Sequence, residues 1–269
     1  MMQNTMKERL SLAVKMAHSA GKITLKYFLQ NNFHVQWKSD ASPVTEADQE
    51  TETFMRQMIC EHFPQDAILG EEFPSREGTS GFRWILDPID GTKSFVHGVP
   101  LYGTLIAVEY ENESVIGVIH IPATQECVYA MKNSGAFYTR GNSAPLPAQV
   151  SECQELKDAL ILTTSEKTLH KTGRYAGWHA LTEKTRLARN WGDCYGYMLV
   201  ATGRAEVMLD PVMSLWDIAA LYPIITEAGG TFTDWRGNKT YTATECVASN
   251  GKFHDHILTI LHNETGITE

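Results

Sequence analysis

Four acidic stretches constrain this chain more than anything else in it: Asp48, Glu71-Glu72, the run Asp87-Pro88-Ile89-Asp90-Gly91-Thr92, and Trp216-Asp217. Acids taken singly are ordinary solvated surface residues. A fold that uses these acids together must gather segments from most of the chain. Two unit charges about 4 Å apart repel by roughly 4 kcal/mol at an effective dielectric of 20. Bringing Glu71, Asp87, Asp90 and Asp217 to one place is therefore unfavourable without cations.

At 269 residues the chain is long enough for one large domain or two subdomains with a shared core. Hydrophobic and charged contents of 43% and 20% are those of a globular, soluble protein. The formal net charge of −9 argues against nucleic-acid binding, which needs clustered Lys and Arg. An anionic substrate stays possible, because bound Mg²⁺ reverses the local field. Five cysteines with no CxxC pair read as reduced thiols rather than a disulfide frame or zinc site. The N-terminus lacks a signal pattern and no apolar stretch is long enough to span a bilayer, so a cytoplasmic address is expected and no membrane partner.

Apolar spacing predicts a long amphipathic helix over Met6 to Phe28, a polar loop from Lys38 to Val44, and a helix capped by Thr45 with Asp48 three residues on. Strands are expected at 67–70, 82–86, 102–110, 114–121 and 126–131, with turns at Asn112 and Gly135. The small, polar, Pro-bearing stretch from Gly141 to Pro147 suggests a boundary, dividing the chain into 1–141 and 142–269. The second part reads as a strand at 159–163, a helix at 194–202, a strand at 207–209, one helix from Leu215 to Ala228, strands at 231–233 and 246–249, and a terminal helix. Interleaved helices and strands make the class α/β or α+β. His254-x-His256 looks like surface histidine without metal partners.

Asp87 and Asp90 close an apolar strand that Pro88, lacking an N–H, is expected to break. Both carboxylates and the Ile89 carbonyl then converge on one side of the turn. Gly91 lets backbone approach a ligand, Thr92 adds a hydroxyl, and a helix starting here would offer free N–H groups to phosphate. Oxygen-only ligands favour Mg²⁺, Mn²⁺ or Ca²⁺ over zinc. A metal pair activates water and stabilises attacking and leaving oxygens, so the pattern fits metal-assisted hydrolysis of a phosphate ester. Each part also has a plain reading: Asp48 as a helix-cap acid, Glu71-Glu72 as a solvated pair, the Asp-Pro run as a turn, and Asp217 as a first-turn acid. No P-loop, Rossmann or nucleophile-elbow motif is present.

At Thr45-Glu46-Ala47-Asp48, Gly70-Glu71-Glu72, Trp84 to Thr92, Trp216-Asp217 and Glu227-Ala228-Gly229-Gly230 the chain resembles the inositol monophosphatase family of lithium-sensitive, magnesium-dependent phosphatases. One departure is Ala220, where the family often has glycine. The resemblance implies a layered αβαβα sandwich. Carried over by residue, it places a first Mg²⁺ on Glu71, Asp87 and the Ile89 carbonyl, a second on Asp87, Asp90 and Asp217, and a third on Glu71 with waters. Glu71 and Thr92 would activate the attacking water with help from Asp48, and the N–H groups of Gly91 and Thr92 would bind phosphate. Mn²⁺ as a substitute, inhibition by Li⁺ and a homodimer belong to the same implication.

Gly91-Thr92-Lys93-Ser94-Phe95, the segment Pro100 to Ala107 and Trp191-Gly192-Asp193-Cys194-Tyr195-Gly196-Tyr197 look like the histidinol-phosphate phosphatase branch. Inositol-specific members usually carry small neutral residues near Asp193. Here Asp193 and Asp210 supply negative charge suited to a cationic alcohol, although Asp193 could equally be a helix cap. The alternatives are an inositol-1-phosphate or broad-specificity sugar or nucleotide phosphatase, a haloacid-dehalogenase-type enzyme, disfavoured by the two residues between Asp87 and Asp90, and a non-catalytic regulatory or RNA-associated protein.

Overall fold

The computed structural model describes residues 2–30, 35–37 and 43–265. It opens with helix α1 (Met2–Tyr27), whose apolar side chains Leu12, Ala13, Met16, Ala17 and Ala20 recur at helical spacing and are buried. Short strands β1 (Val35–Trp37) and β2 (Pro43–Thr45) pair with each other and lead into α2 (Glu46–His62). A seven-stranded sheet follows, made of β3 (Ala67–Gly70), β4 (Phe82–Asp90), β5 (Gly103–Tyr110), β6 (Glu113–Ile121), β7 (Glu126–Met131), β8 (Ala136–Arg140) and β9 (Leu146–Ala148) in that spatial order. The short helix α3 (Thr92–Val96) sits between β4 and β5. Only β3 and β4 run parallel; the rest is an antiparallel meander.

The second half builds a five-stranded sheet in the order β11-β10-β12-β14-β13. Its elements are β10 (Leu160–Leu162), α4 (Glu166–Lys171), α5 (Tyr175–Thr182), β11 (Leu187–Arg189), α6 (Asp193–Ala201), β12 (Val207–Asp210), α7 (Leu215–Ile218), α8 (Leu221–Glu227), β13 (Thr231–Thr233), β14 (Cys246–Ser249) and α9 (His254–Thr265).

Side-chain alternation along β4 shows why the layers stack. Trp84 and Leu86 face α1 and α2 and join their core, whereas Ile85 faces the other way, into a core shared with α6, α7 and α8. Strands buried on both faces read as unbroken apolar runs, as these do. The middle helices rest on the second sheet through Leu162, Met208 and Ala248, while Ile161, Val207 and Val247 point out to α5 and α9. The order is therefore α1/α2, seven strands, α6/α7/α8, five strands, α5/α9, which is the expected αβαβα sandwich. At the outer edge Arg9 makes a two-pronged ion pair with buried Asp66, at 2.8 Å through each nitrogen, and Trp84 and Ser80 donate to the same carboxylate.

Several expectations are corrected. β4 does not break at Pro88; it runs to Asp90 with a register shift, Asp87 opposite Leu105 and Asp90 opposite Gly103. A bulge absorbs the missing N–H. The single helix from Leu215 to Ala228 is split into α7 and α8, because Pro223 offers no N–H to the Ala219 carbonyl; the Ser114 hydroxyl donates to it instead, at 2.7 Å. Of the loop expected from Lys38 to Val44, residues 38–42 lie outside the described residues, while Pro43 and Val44 belong to β2. Residues 141–147 lie in the β8–β9 hairpin and the change of sheet comes after Ala148; a division of the chain into 1–141 and 142–269 stands as a proposal. His254 is buried rather than superficial, held by Thr233 at 2.9 Å and Ser249 at 2.8 Å.

Candidate metal and phosphate site

The parallel pair β3–β4 sets out the first carboxylates. Gly70 pairs with Leu86, and the Glu71 N–H continues the ladder to the Leu86 carbonyl at 3.2 Å, which brings Glu71 beside Asp87 at the strand ends. In the bulge the Asp87 Oδ1 accepts the Ile89 N–H at 3.0 Å. The Ile89 side chain is buried with Ala47, Phe95 and Tyr102. Its carbonyl accepts the Thr92 hydroxyl at 3.0 Å, so the hydroxyl is fixed beside the acids. Gly91 turns the chain in the left-handed conformation, φ 79° and ψ 39°, and a Cβ there would lie 2.8 Å from an Asp193 carboxylate oxygen. Glycine satisfies both requirements at once.

The other acids arrive on helices. Thr45 and Asp48 form a capping box at the start of α2, with the Thr45 N–H 2.8 Å from Asp48 Oδ2. Asp217 does the same for α7, accepting the Ser214 N–H at 2.7 Å. The cap reading of Asp48 is thus correct, Asp217 is a cap acid as well as a first-turn acid, and the caps also fix both side chains at the cleft. Ligand oxygens of Asp87, Asp90 and Asp217 lie within 4.8 Å of one another. Together with Glu71, Ile89, Gly91 and Thr92 they line a cavity of about 200 Å³.

Burial and mutual repulsion raise the carboxylates of this cluster. Asp87 is held well above the usual carboxylate range by burial, then by Glu71, Asp90, Asp217 and Asp48. Asp90 is raised by burial and by Asp193 and Asp217, against the Cys194 N–H that it accepts at 2.5 Å. Burial pushes Asp217 up to about 6 and Asp48 up to about 7, each opposed by its cap hydrogen bonds. Asp48 Oδ1 is buried without a hydrogen-bond partner. Convergent hard oxygens, a backbone carbonyl and this orphaned carboxylate oxygen fit divalent cations of the Mg²⁺ type.

A second cavity, of about 420 Å³, opens beside the first and shares Asp90, Lys93, Asp193 and Asp217 with it. Its far side comes from the second sheet and its helices, including Thr164, Ser165, Tyr197, Asp210 and Met213. Asp193 is the first residue of α6, with Gly192 at the cap position and no side-chain cap bond, so it is not a helix cap. Its φ of 53° is left-handed, a conformation that Asp tolerates better than most residues but at a cost of about 1–3 kcal/mol. The Thr164 hydroxyl accepts its N–H at 2.9 Å, and Ser94 approaches its carboxylate at 3.4 Å. Burial raises its pKa while Lys93 and Ser94 oppose the rise.

Asp210, at the end of β12, is pushed up to about 7 by burial, despite accepting the Thr164 N–H at 2.9 Å and the Thr164 and Tyr197 hydroxyls at 3.0 Å each. It therefore meets Asp193 through Thr164. Every residue expected in the site lies in this region. Thr164, which joins Asp210 to Asp193, was not anticipated, and Tyr197, quoted only within the Trp191 to Tyr197 motif, was given no role there although its hydroxyl meets Asp210. Ala220 adopts an ordinary helical conformation, φ −74° and ψ −29°, so nothing at that position requires glycine.

Among the described residues no helix is long and apolar enough to cross a membrane. A profile of the inositol monophosphatase family matches residues 5–265. A protein of Chlorobaculum parvum named histidinol-phosphatase is 43% identical over 255 residues, covering 94% of this chain and 96% of that relative. Its namesake in Streptomyces coelicolor is 37% identical over 94% of this chain and 96% of its own. Among solved structures, the IMPase of Thermotoga maritima superposes with a TM-score of 0.86 at 29% identity, over 96% of this chain and 98% of the other.

Proposed function

This chain belongs to the inositol monophosphatase family and is a phosphatase, and from that premise we propose that it hydrolyses histidinol phosphate to histidinol and inorganic phosphate. The observation that carries the substrate is Asp193: a carboxylate in a strained backbone conformation, standing between the phosphate cradle and the larger cavity. A neutral polyol gains little from a buried negative charge, whereas a substrate ammonium or imidazolium forms a charge-assisted bond with it. The resemblance to proteins named histidinol-phosphatase supports the same substrate.

The cations of this site are Mg²⁺, two or three of them, with Mn²⁺ as a substitute. Glu71, Asp87, Asp90, Asp217 and the Ile89 carbonyl are the residues to hold them. Bound there, they supply positive charge that offsets the phosphate and favours deprotonation of the attacking water.

The remaining work falls to the chain. The N–H groups of Gly91 and Thr92, at the start of α3, hold the phosphate oxygens. Thr92, tied to the Ile89 carbonyl, and Glu71 orient a water in line with the scissile P–O bond. Glu71 takes a proton from that water as its oxygen bonds to phosphorus. The P–O bond to the alcohol breaks, the departing alkoxide takes a proton from a solvent water to become histidinol, and Glu71 releases its proton to solvent. Asp48 adds its charge behind Glu71. Asp193 holds the cationic end of the substrate, and Asp210 holds Asp193 in place through Thr164. We extend the reading to a homodimeric, cytoplasmic, lithium-inhibited enzyme; its support is the family resemblance and five unpaired cysteines.

The test is phosphate release, with Mg²⁺ and with chelator, from histidinol phosphate, inositol 1-phosphate, fructose 1,6-bisphosphate and adenosine 3′,5′-bisphosphate. A strong Mg²⁺-dependent preference for histidinol phosphate is expected. A flat profile, or preference for inositol phosphate, would defeat the substrate assignment.

A further inference from the structure

Glu52 lies on α2 one turn beyond Asp48, and Arg56 one turn further still, so the three share a helix face. The Glu52 side chain is completely buried. One carboxylate oxygen accepts the Glu72 N–H at 2.8 Å and the other accepts Arg56 Nε at 2.7 Å. Arg56 in turn donates to the Phe73 carbonyl at 2.9 Å. This helix face therefore grips the backbone immediately after Glu71, while the ladder bond from Glu71 N–H to Leu86 holds the residue from the strand side. A Cβ at Gly70 would collide with the Glu52 carboxylate, so the strand end approaches as closely as glycine allows.

We infer that Glu52 is a positioning residue, which sets the Glu71 carboxylate in the cation site by anchoring the Glu72 N–H. The inference rests on the reading of Glu71 as a cation ligand. A fully buried acid is an unusual choice for a purely structural tie, because burying its charge is costly unless it is paired. Its pairing with Arg56 offsets that charge and leaves a strong acceptor for one backbone N–H. Without it, the Glu72 N–H would lose its tie to α2.

The test is Mn²⁺ and Mg²⁺ binding to the full chain without substrate, by spin-resonance titration and calorimetry, alongside thermal unfolding of the metal-free protein. Glu52→Ala is expected to weaken cation affinity by about 10- to 100-fold, as loss of a ligand-orienting partner does. The half-saturating Mg²⁺ for phosphate release should rise by a similar factor. Glu52→Gln keeps an oxygen for the Glu72 N–H, and its affinity should stay within about threefold of the parent, well short of that loss. Wild-type cation affinity in a folded Glu52→Ala protein would overturn the inference while leaving the phosphatase reading intact. If Glu52→Ala does not fold, Gly70→Ala pushes the same carboxylate off the Glu72 N–H, and unchanged affinity there overturns it equally. A parent protein that binds neither cation would overturn both readings together.

Discussion

The two cavities that meet at Asp193 are built in opposite ways. The smaller one draws Asp87, Ile89, Asp90, Gly91 and Thr92 from a single strand end, with Glu71 from the neighbouring strand and Asp217 from a helix cap. The larger one brings together Thr164 from the loop after β10, Asp193 from the start of α6 and Asp210 from the end of β12, joined through that one threonine. Under the proposed function, reaction chemistry would be fixed by short-range backbone geometry, and selectivity by the distance and charge between two layers. Substitutions in the first should abolish turnover for every substrate, and substitutions in the second should change which substrate is preferred.

The sharpest way to break this contrast is Asp90→Asn. It removes a proposed cation ligand while keeping an acceptor for the Cys194 N–H, so the fold should persist by circular dichroism. Turnover should fall by more than about 100-fold at saturating Mg²⁺, beyond the loss typical of a ligand's supporting partner. The loss should be equal for histidinol phosphate and inositol 1-phosphate. Near-normal activity would remove Asp90 from the ligand set.

Asp193→Asn should act selectively. Losing a hydrogen bond to a charged group is worth about 1.5–3 kcal/mol, or roughly 10- to 100-fold in kcat/KM for histidinol phosphate. Inositol 1-phosphate should lose far less. Equal losses for both esters, measured side by side, would take Asp193 out of specificity.

A third effect is thermodynamic and has opposite signs at the cluster acids and at His254. Asp217 and Asp48 titrate near 6 and 7 in the metal-free fold, above their unfolded values, so the folded state holds protons the unfolded state has released. Their contribution to stability is present at acid pH and is lost as pH rises through about 4 to 7. Buried His254 behaves inversely. Burial lowers it to about 4, so its contribution is present above about 6.5 and is lost as pH falls towards 4. Cations relieve only the carboxylates. The rise in Tm on adding Mg²⁺ should therefore be larger at pH 7.5 than at pH 5, by a few degrees in a scanning fluorimeter. A rise independent of pH would mean that the acids do not meet the cation.

The smallest effect expected is at Ala220, in the linker between α7 and α8. Ala220→Gly should leave Mg²⁺ dependence unchanged and lower stability by up to about 1 kcal/mol, since the site is helical. A marked gain in activity would show that the alanine disturbs Asp217.

The first cavity was largely legible in the sequence because its parts are local: an apolar strand, an Asp-Pro-Ile-Asp-Gly-Thr run, the Thr45 cap with Asp48 three residues on, and a first-turn acid at Asp217. The wrong details there came from proline. Pro88 was read as a strand end, yet a bulge accommodates it, with the Pro88 carbonyl accepting the Thr104 hydroxyl at 2.9 Å. Pro223 was read through as helix, although the carbonyl it leaves unsatisfied is met by Ser114, 105 residues away in sequence. No local pattern announces such a partner. The buried place of His254, between Thr233 and Ser249, is of the same kind. In the second cavity the residues Asp193 and Asp210 could be read, but not the φ of 53° or the threonine joining them. Those depend on how the second sheet docks.

The central claim, that Asp193 reads the positive charge of the substrate, is tested most directly by removing the charge from each partner in turn. kcat/KM would be measured for histidinol phosphate and its N-acetyl derivative, with the parent enzyme and with Asp193→Asn. Acetylation should cost the parent about 10- to 100-fold and the variant only a small part of that, because the interaction is already gone. An equal cost in both proteins would show that Asp193 does not meet the amino group.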